Sequence, residues 1–265
     1  MNISKNIHTF IGCDSDYAES RIAIFGAPFD STTSYRPGAR FASSAMRNES
    51  YGIETYSPYQ DKDLLDAEIF DCGDLELCFG SPESALNDIE KMTENIISDG
   101  KLPIMIGGEH LVTLGAVRAA VKKYPDLRIV HFDAHADLRD DYLGQKLSHA
   151  CVMRRCHELL GDGKIFQFGI RSGDREEFLW GREHVYTNRF DFSGIERIKE
   201  KTGDRPVYFT LDLDVLDPSC FCGTGTPEAG GVSYNELIKA IEKVSELNVI
   251  AVSYTHLRAH ETTLH

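Results

Sequence analysis

Residues 102–137 of the chain have the sequence LPIMIGGEHLVTLGAVRAAVKKYPDLRIVHFDAHAD. Leu102–Ile106 is a largely apolar run that predicts a buried strand, and Val112–Lys123 has helical spacing and ends before Pro125. Leu127–Phe132 is a second buried strand. A strand, a helix and a second strand in this order are typical of a parallel sheet that is covered by helices on both faces.

The same alternation continues on both sides of this stretch. Further strands are predicted at Arg21–Phe25, Ile165–Ile170, Val207–Leu213 and Val249–Val252, and further helices at Glu83–Ser98, His149–Leu160, Phe192–Lys201 and from the Ser233 cap to about Leu247. No linker, repeat or low-complexity segment interrupts the pattern. We therefore expect one α/β domain over residues 1–251.

Composition restricts the class of protein. The chain has 265 residues, with 28 Lys and Arg against 42 Asp and Glu, a formal net charge of −14. This acidic balance argues against a nucleic-acid partner, whose phosphates need clustered cations, and suits a cationic substrate or a bound metal. No apolar run approaches the ~18 residues of a membrane span. The N-terminus lacks a secretion signal and the seven cysteines are scattered, so we expect a cytoplasmic protein with reduced thiols.

Two predicted strands end in groups of metal-binding residue types. The Leu102–Ile106 strand is followed by two glycines, Glu109 and His110. The Leu127–Phe132 strand is followed by Asp133-Ala-His135-Ala-Asp137, in which three ligand-type side chains at alternate positions project to one side. Parallel strands present such residues at one edge of the sheet, and a row of carboxylates there is costly without a cation.

A third strand end adds Asp212 and Asp214, which share one face while Leu213 points into the fold. Two imidazoles and four carboxylates are too many anions for one divalent ion but suit two ions that share bridging oxygens. Oxygen-rich ligand sets with some imidazole suit Mn²⁺ better than Zn²⁺. A bridged pair of this kind activates water for attack on an electrophilic carbon.

Five motifs in order resemble the arginase/agmatinase (ureohydrolase) family. They are Gly107-Gly-x-His110, Asp133-Ala-His-x-Asp137, Ser148-His149, Asp212-x-Asp214-x-x-Asp217-Pro218 and Gly223-Thr-Gly-Thr-Pro-Glu-x-Gly-Gly231, and Ser34–Arg40 resembles the agmatinase branch. The resemblance covers about residues 20 to 251. It implies a three-layer αβα fold on a parallel sheet of about eight strands, two Mn²⁺ ions per chain, a homo-oligomer and hydrolysis of a small cationic guanidino compound to urea and an amine.

The resemblance also implies a role for each matched residue. One manganese would be held by His110, Asp133, Asp137 and Asp212, and the other by Asp133, His135, Asp212 and Asp214. The hydroxide that bridges them would attack the guanidinium carbon. Asp137 would orient that hydroxide and help to protonate the leaving amine, and His149 would contact the substrate and act as a proton shuttle.

One loop bears on which guanidino compound is the substrate. The loop of residues 138–147, LRDDYLGQKL, does not match the arginase loop that binds the α-amino and carboxylate groups of arginine. This favours agmatine, with putrescine as the product, while arginine, guanidinobutyrate, guanidinopropionate and formiminoglutamate stay open. A zinc deacylase on a related αβα fold is a more distant alternative. For the chain as it stands, a truncated metal-binding protein with little activity is a further alternative.

The C-terminal residues 252–265 do not follow the family. There the family has a strand end of the form Asp-x-x-Glu-x-x-Pro, whose Glu binds the guanidinium, and then a further helix. This chain has VSYTHLRAHETTLH, in which Glu261 lies in an unrelated context. The segment resembles the translation of a sequencing-library adaptor, with a lineage-specific tail as the alternative. We therefore expect a replaced last strand and helix, no guanidinium-binding Glu, and reduced turnover.

Overall fold

The computed structural model describes residues 8–258, and its centre is an eight-stranded sheet. The strands are β1 (Ile22–Ala27), β2 (Tyr56–Ser57), β3 (Lys62–Asp63), β4 (Ile69–Asp74), β5 (Leu102–Gly107), β6 (Arg128–Phe132), β7 (Ile165–Ile170), β8 (Tyr186–Arg189), β9 (Val207–Asp212) and β10 (Val249–Thr255). Strands β2 and β3 form a separate small hairpin. The other eight lie in the order β4-β1-β5-β10-β9-β6-β7-β8, and every neighbouring pair is parallel.

Helices cover both faces of the sheet. They are α1 (Ala42–Ser50), α2 (Pro82–Ser98), α3 (Val112–Lys123), α4 (Val152–Leu160), α5 (Arg175–His184), α6 (Ile198–Thr202) and α7 (Tyr234–Ser245). Neighbouring residues of one strand belong to different cores: Ile129 packs with α2, α3 and α4, whereas Val130 packs with α6 and α7. This alternation follows from the pleat of a strand. The predicted three-layer αβα architecture is confirmed.

The two edge strands and two helices were not predicted from the pattern. Strand β8 at one edge has the sequence Tyr-Thr-Asn-Arg, which contains no apolar run. Strand β4 at the other edge contains Asp71, and buried Arg47 of α1 lies with its Nε 2.8 Å from Asp71 Oδ2. The ion pair places a charged residue at a buried position of each element, so the apolar periodicity of both β4 and α1 is interrupted. Helix α5 was also missed, and the helix predicted over Phe192–Lys201 is shorter, since regular α-helix begins at Ile198.

Strand β10 continues to Thr255, four residues beyond the predicted domain boundary at residue 251. Tyr254 pairs with β5 and β9 at once, and Thr255 pairs with Asp212. Residues 252–255 therefore belong to the centre of the sheet, and the last strand has seven residues. The non-native origin of residues 252–265 stays a prediction. Glu261 lies outside the described residues.

None of the helices found between residues 8 and 258 has the length and apolar character that a bilayer crossing requires.

Candidate metal centre and active site

Four neighbouring strands bring their carboxyl ends together at the middle of the sheet. In spatial order they are β5, β10, β9 and β6, and the residues that follow them include His110, His256, Asp214 and Asp133. These segments are far apart in sequence, but their strands are adjacent. The site therefore lies where parallel α/β sheets place their ligands.

Two backbone features aim these side chains. A Cβ on Gly108 would lie 1.8 Å from the carbonyl oxygen of Phe29, so only glycine permits this close approach of two chain segments. Asp137 has φ of 53°, in the left-handed region that non-glycine residues seldom adopt. Strained backbone of this kind is common at functional sites because surrounding structure holds it in place. Here it accompanies a carboxylate that faces His110.

The first group of predicted ligands surrounds one nitrogen atom, Nδ1 of His110. Its distances are 2.9 Å to Asp133 Oδ2, 3.0 Å to Asp137 Oδ2 and 3.5 Å to Asp212 Oδ2. These four residues are the set that the family resemblance gives to one metal ion. The structure brings all four together.

The second group shares Asp133 with the first. His135 Nδ1 lies 3.0 Å from Asp214 Oδ2 and 3.5 Å from Asp133 Oδ1. Asp133 therefore turns one oxygen towards each imidazole. The backbone N–H of Asp214 donates to Asp212 Oδ1 at 3.1 Å. Asp212 ends β9 and Asp214 lies in the short 3-10 segment after it, and carboxylate oxygens of the two residues lie within 4.8 Å of each other.

This arrangement fits a pair of divalent cations. Asp133, Asp212 and Asp214 are at most 1% exposed and Asp137 is 5% exposed. Burial and the neighbouring Asp212 raise the pKa of Asp214 to about 7, as expected where buried carboxylates are crowded. Among the described residues, His110 Nδ1 has no hydrogen-bond partner of suitable geometry, although three carboxylate oxygens surround it. Nitrogen and oxygen donors that converge without aligned hydrogen bonds are what a cation site requires.

A buried histidine that the sequence did not single out orients the shared carboxylate. The side-chain amide of Gln167 donates to His131 Nδ1 at 3.0 Å, which leaves the proton of a neutral imidazole on Nε2. Nε2–H then donates to Asp133 Oδ2 at 2.8 Å. Outer partners of this kind fix the orientation of metal-binding groups.

His256 is a second residue that sequence reasoning missed. Its Nδ1 lies 2.6 Å from Asp212 Oδ2, and the backbone N–H of His110 approaches its Nε2 at 3.3 Å. Burial lowers the pKa of His256, but the Asp212 carboxylate more than compensates and raises it to about 9. The signal was present, since His256 follows a strand that ends beside the other site strands. The assignment of residues 252–265 to a non-family tail hid it.

His149 lines the cavity beside the metal-binding residues, three positions before helix α4 begins. Its backbone N–H donates to Thr32 Oγ1 at 3.1 Å, and its Nε2 is 3.3 Å from Ser34 Oγ. Burial and the neighbouring His256 lower the pKa of His149 to about 4, so this imidazole is neutral at pH 7. A neutral imidazole can accept a proton.

Glu109 anchors the loop that holds His149. This fully buried carboxylate accepts hydrogen bonds from the Thr32 backbone N–H and hydroxyl, and from Thr33 Oγ1 at 3.1 Å. Burial raises its pKa to about 7. Sequence reasoning did not predict this link, because its partners lie 76 and 77 positions apart.

A cavity of about 290 Å³ opens over the predicted ligands. The residues that matter for its chemistry are Ser34, His135, Asp137, Arg139, His149 and His256. Its volume suits a small linear molecule. The cavity thus joins the metal-binding residues to the predicted proton shuttle.

Comparison with known proteins places this geometry in a family. Residues 20–258 match the Arginase family model. The chain is 46% identical over 246 residues to the agmatinase of Bacillus subtilis strain 168, covering 91% of this chain and 84% of the relative. It is 45% identical over 246 residues to the agmatinase of Bacillus anthracis, covering 92% and 84%.

A solved structure gives the same result in three dimensions. The agmatine ureohydrolase of Thermoplasma volcanium superposes with a TM-score of 0.87 at 36% identity, covering 96% of this chain and 87% of that chain. With its parallel sheet, its edge of buried carboxylates and histidines, and these relatives, the chain belongs to the arginase family of hydrolases.

Proposed function

We propose that the protein is a manganese-dependent hydrolase that cleaves agmatine to putrescine and urea in the cytoplasm. The observation that carries this proposal is the position of Asp133, whose Oδ2 lies 2.9 Å from His110 Nδ1 and whose Oδ1 lies 3.5 Å from His135 Nδ1. One carboxylate between two imidazoles is the arrangement that two cations sharing a ligand require.

The donor set fits two Mn²⁺ ions. One would be held by His110, Asp133, Asp137 and Asp212, and the other by Asp133, His135, Asp212 and Asp214. Four carboxylates and two imidazoles suit Mn²⁺, and no cysteine belongs to either set. Bound there, the ions would supply an activated water for attack on the guanidinium carbon.

The remaining steps are assigned to this chain's own side chains. The Asp137 carboxylate accepts a proton from the attacking water and delivers it to the leaving nitrogen. His149, neutral at pH 7 because its pKa is lowered to about 4, would take up at Nε2, the atom beside Ser34, the proton that the next water loses, and would pass it to the departing amine. Thr32 fixes the backbone of His149 and so the reach of its ring.

The charge at the cavity rim favours a substrate with a second cationic end. Arg139 Nη1 lies 3.0 Å from Asp174 Oδ2, and its Nε lies 3.4 Å from Glu177 Oε2. Two carboxylates and one guanidinium leave a net charge of −1 when Glu177 is ionised. The terminal ammonium of agmatine suits this rim better than the carboxylate of guanidinobutyrate or arginine.

A panel of guanidines tests the proposal. The Mn²⁺-loaded chain is assayed for urea with agmatine, arginine, guanidinobutyrate and guanidinopropionate, and for formamide release from formiminoglutamate. The proposal predicts the highest kcat/KM for agmatine. A higher kcat/KM for a carboxylate-bearing guanidine would assign a different ureohydrolase activity, and one zinc with no manganese per chain would favour a zinc deacylase.

His256 supports a second candidate, a metal-binding chain with little turnover. A guanidinium carries only hydrogen-bond donors, and both nitrogens of His256 already face protein groups, Asp212 and the backbone N–H of His110. His256 therefore offers the guanidinium no acceptor. Binding of two Mn²⁺ without urea release from any guanidine would establish this candidate.

A further inference from the structure

A second cluster of metal-binding residue types lies at the opposite, amino edge of the sheet. His157 is in the last turn of α4, His184 ends α5, and Asp162 is in the short loop between α4 and β7. His157 Nε2 and His184 Nδ1 lie 2.7 Å and 2.6 Å from the same oxygen, Asp162 Oδ1. We propose that these three residues form a second metal site, selective for an imidazole-preferring divalent cation such as Zn²⁺, Ni²⁺ or Cu²⁺.

The two imidazoles are already held in position. Trp180 stacks on His184 with ring centroids 4.2 Å apart, and its ring meets His157 edge-on at 4.7 Å. The guanidinium of Arg154 covers Trp180 at 3.7 Å from the ring centroid. Two imidazoles fixed by a shared aromatic ring lose little conformational freedom when they bind an ion.

The third ligand can adjust to an ion. The Asp162 side chain is 67% exposed, whereas those of His157 and His184 are 15% and 28% exposed. Metal–ligand bonds of about 2.0–2.2 Å set the ligand atoms about 3.3 Å apart in a tetrahedral site. The observed contacts are shorter, so Asp162 must move outward by about half an ångström, and its exposure permits this movement.

The local electrostatics also favour a cation. Helices α4 and α5 both end at this cluster, and the carbonyl ends of helices carry partial negative charge. The ligand set differs from that of the main centre, which has four carboxylates and two imidazoles. Two imidazoles with a single carboxylate bind Zn²⁺, Ni²⁺ and Cu²⁺ far better than Mn²⁺.

The site joins two helices whose other ends lie at the cavity. His149 lies three residues before the first residue of α4, and Glu177 is in the first turn of α5. An ion at His157, Asp162 and His184 would hold the far ends of both helices together. The inference does not depend on the proposed reaction, since it concerns residues outside that site.

Tryptophan fluorescence reports on this site specifically. Trp180 is the only tryptophan in the chain and stacks on one of the ligands. Cu²⁺ and Ni²⁺ quench a fluorophore in contact with their ligands, whereas an ion in the main centre lies at the other edge of the sheet. We expect the Mn²⁺-loaded protein to show saturable quenching with Ni²⁺, and Zn²⁺ to compete with it and restore the fluorescence.

Substitution of the ligands provides the decisive comparison. In the His157→Gln/His184→Gln variant we expect the saturable quenching to disappear and zinc bound after equilibrium dialysis to fall by one ion per chain. Asp162→Asn should raise the apparent Ni²⁺ dissociation constant about tenfold or more. His8→Gln, a surface histidine outside both clusters, is the matched control and should keep wild-type quenching and zinc content.

The result that overturns the inference is equal zinc content and equal Ni²⁺ quenching in the double variant and the wild type. Far-ultraviolet circular dichroism confirms folding, and urea release by the double variant should equal that of the wild type. If the wild type releases no urea, the proposed function fails while the zinc count and quenching still test this site.

Discussion

His256 Nδ1 lies 2.6 Å from Asp212 Oδ2, so an imidazole faces a carboxylate that the proposed metal centre needs for both ions. The contact is fully buried, with His256 3% exposed and Asp212 0% exposed. Asp212 raises the pKa of His256 to about 9 against the opposing effect of burial. The His110 backbone N–H faces the lone pair of Nε2, which leaves the ring proton on Nδ1, aimed at Asp212. A proton on Nδ1 competes with cations for Asp212, and Nε2, already occupied, offers no acceptor to a guanidinium in the adjoining cavity.

We therefore predict that His256→Glu increases activity towards agmatine. The new carboxylate would offer two acceptor oxygens to the guanidinium, and a charge-assisted contact contributes about 1.5–3 kcal/mol. That energy corresponds to an increase in kcat/KM of about 10- to 150-fold. Urea release by the Mn²⁺-loaded variants measures it.

His256→Gln is the matched control for this prediction. Its neutral amide supplies one acceptor without a full charge, so its kcat/KM should fall between those of the wild type and His256→Glu. Wild-type activity equal to or above that of His256→Glu, at equal manganese content, would show that position 256 does not restrict guanidinium binding.

A second prediction concerns Thr32, which links Glu109 to His149. The Thr32 hydroxyl donates to Glu109 and accepts the His149 backbone N–H at 3.1 Å. In Thr32→Val this acceptor is lost and His149 is less well positioned. Because general acid–base groups contribute about 10²–10⁴-fold, we expect kcat to fall at least tenfold, with KM and manganese content within twofold of wild type.

Thr33→Val separates positioning from general damage to the loop. Thr33 Oγ1 donates to Glu109 Oε2 at 3.1 Å, while the contacts of His149 with this loop are through Thr32 and Ser34. Thr33→Val should therefore keep most of its kcat. Equal losses of kcat in both variants would mean that the hydroxyl of Thr32 does not position His149.

A third prediction uses the pH dependence of stability. Burial raises the pKa of Glu177 from 4.5 to about 6, and the carboxyl is 3% exposed. Because the folded state binds this proton more tightly than the unfolded state, Glu177 reduces the free energy of unfolding progressively as the pH rises from 4.5 to 6. A shift of about 1.5 pH units corresponds to about 2 kcal/mol.

Glu177→Gln removes this titration and keeps an acceptor oxygen for one of the two backbone N–H groups, those of Asp174 and Leu138, which bond different oxygens of Glu177. The lost hydrogen bond shifts the stability of the variant by an amount that does not depend on pH. The free energy of unfolding of the variant minus that of the wild type should therefore increase by about 2 kcal/mol between pH 4 and pH 7. Denaturant unfolding of both proteins in matched buffers measures the difference. A constant difference, or one that decreases with pH, would contradict the assignment.

The sequence predicted the centre of the fold better than its edges. Strands such as β6 and β7 are buried on both faces, so their apolar runs are distinctive. Edge strands β4 and β8 carry polar residues, and β4 is joined to α1 by the buried pair of Arg47 and Asp71. Pairings of this kind become visible only in three dimensions.

The same distinction applies to the site. The six predicted ligands follow strand ends directly, where hydrophobic runs change to acidic and imidazole groups, and the structure brings them together. Glu109 and Thr32 are 77 positions apart, and His131 is oriented by Gln167, 36 positions away, so no local pattern marks these three residues. His256 was missed for a different reason, because its segment departs from the family motif.

The number of bound ions tests the central claim most directly, because two cations must share Asp133. Manganese per chain is measured by equilibrium dialysis and elemental analysis on the wild type and on Asp133→Asn, with His8→Gln as the control. The proposed centre predicts two Mn²⁺ per chain in the wild type and in His8→Gln, and fewer than one in Asp133→Asn. One or no Mn²⁺ in the wild type, or two in Asp133→Asn, would contradict it.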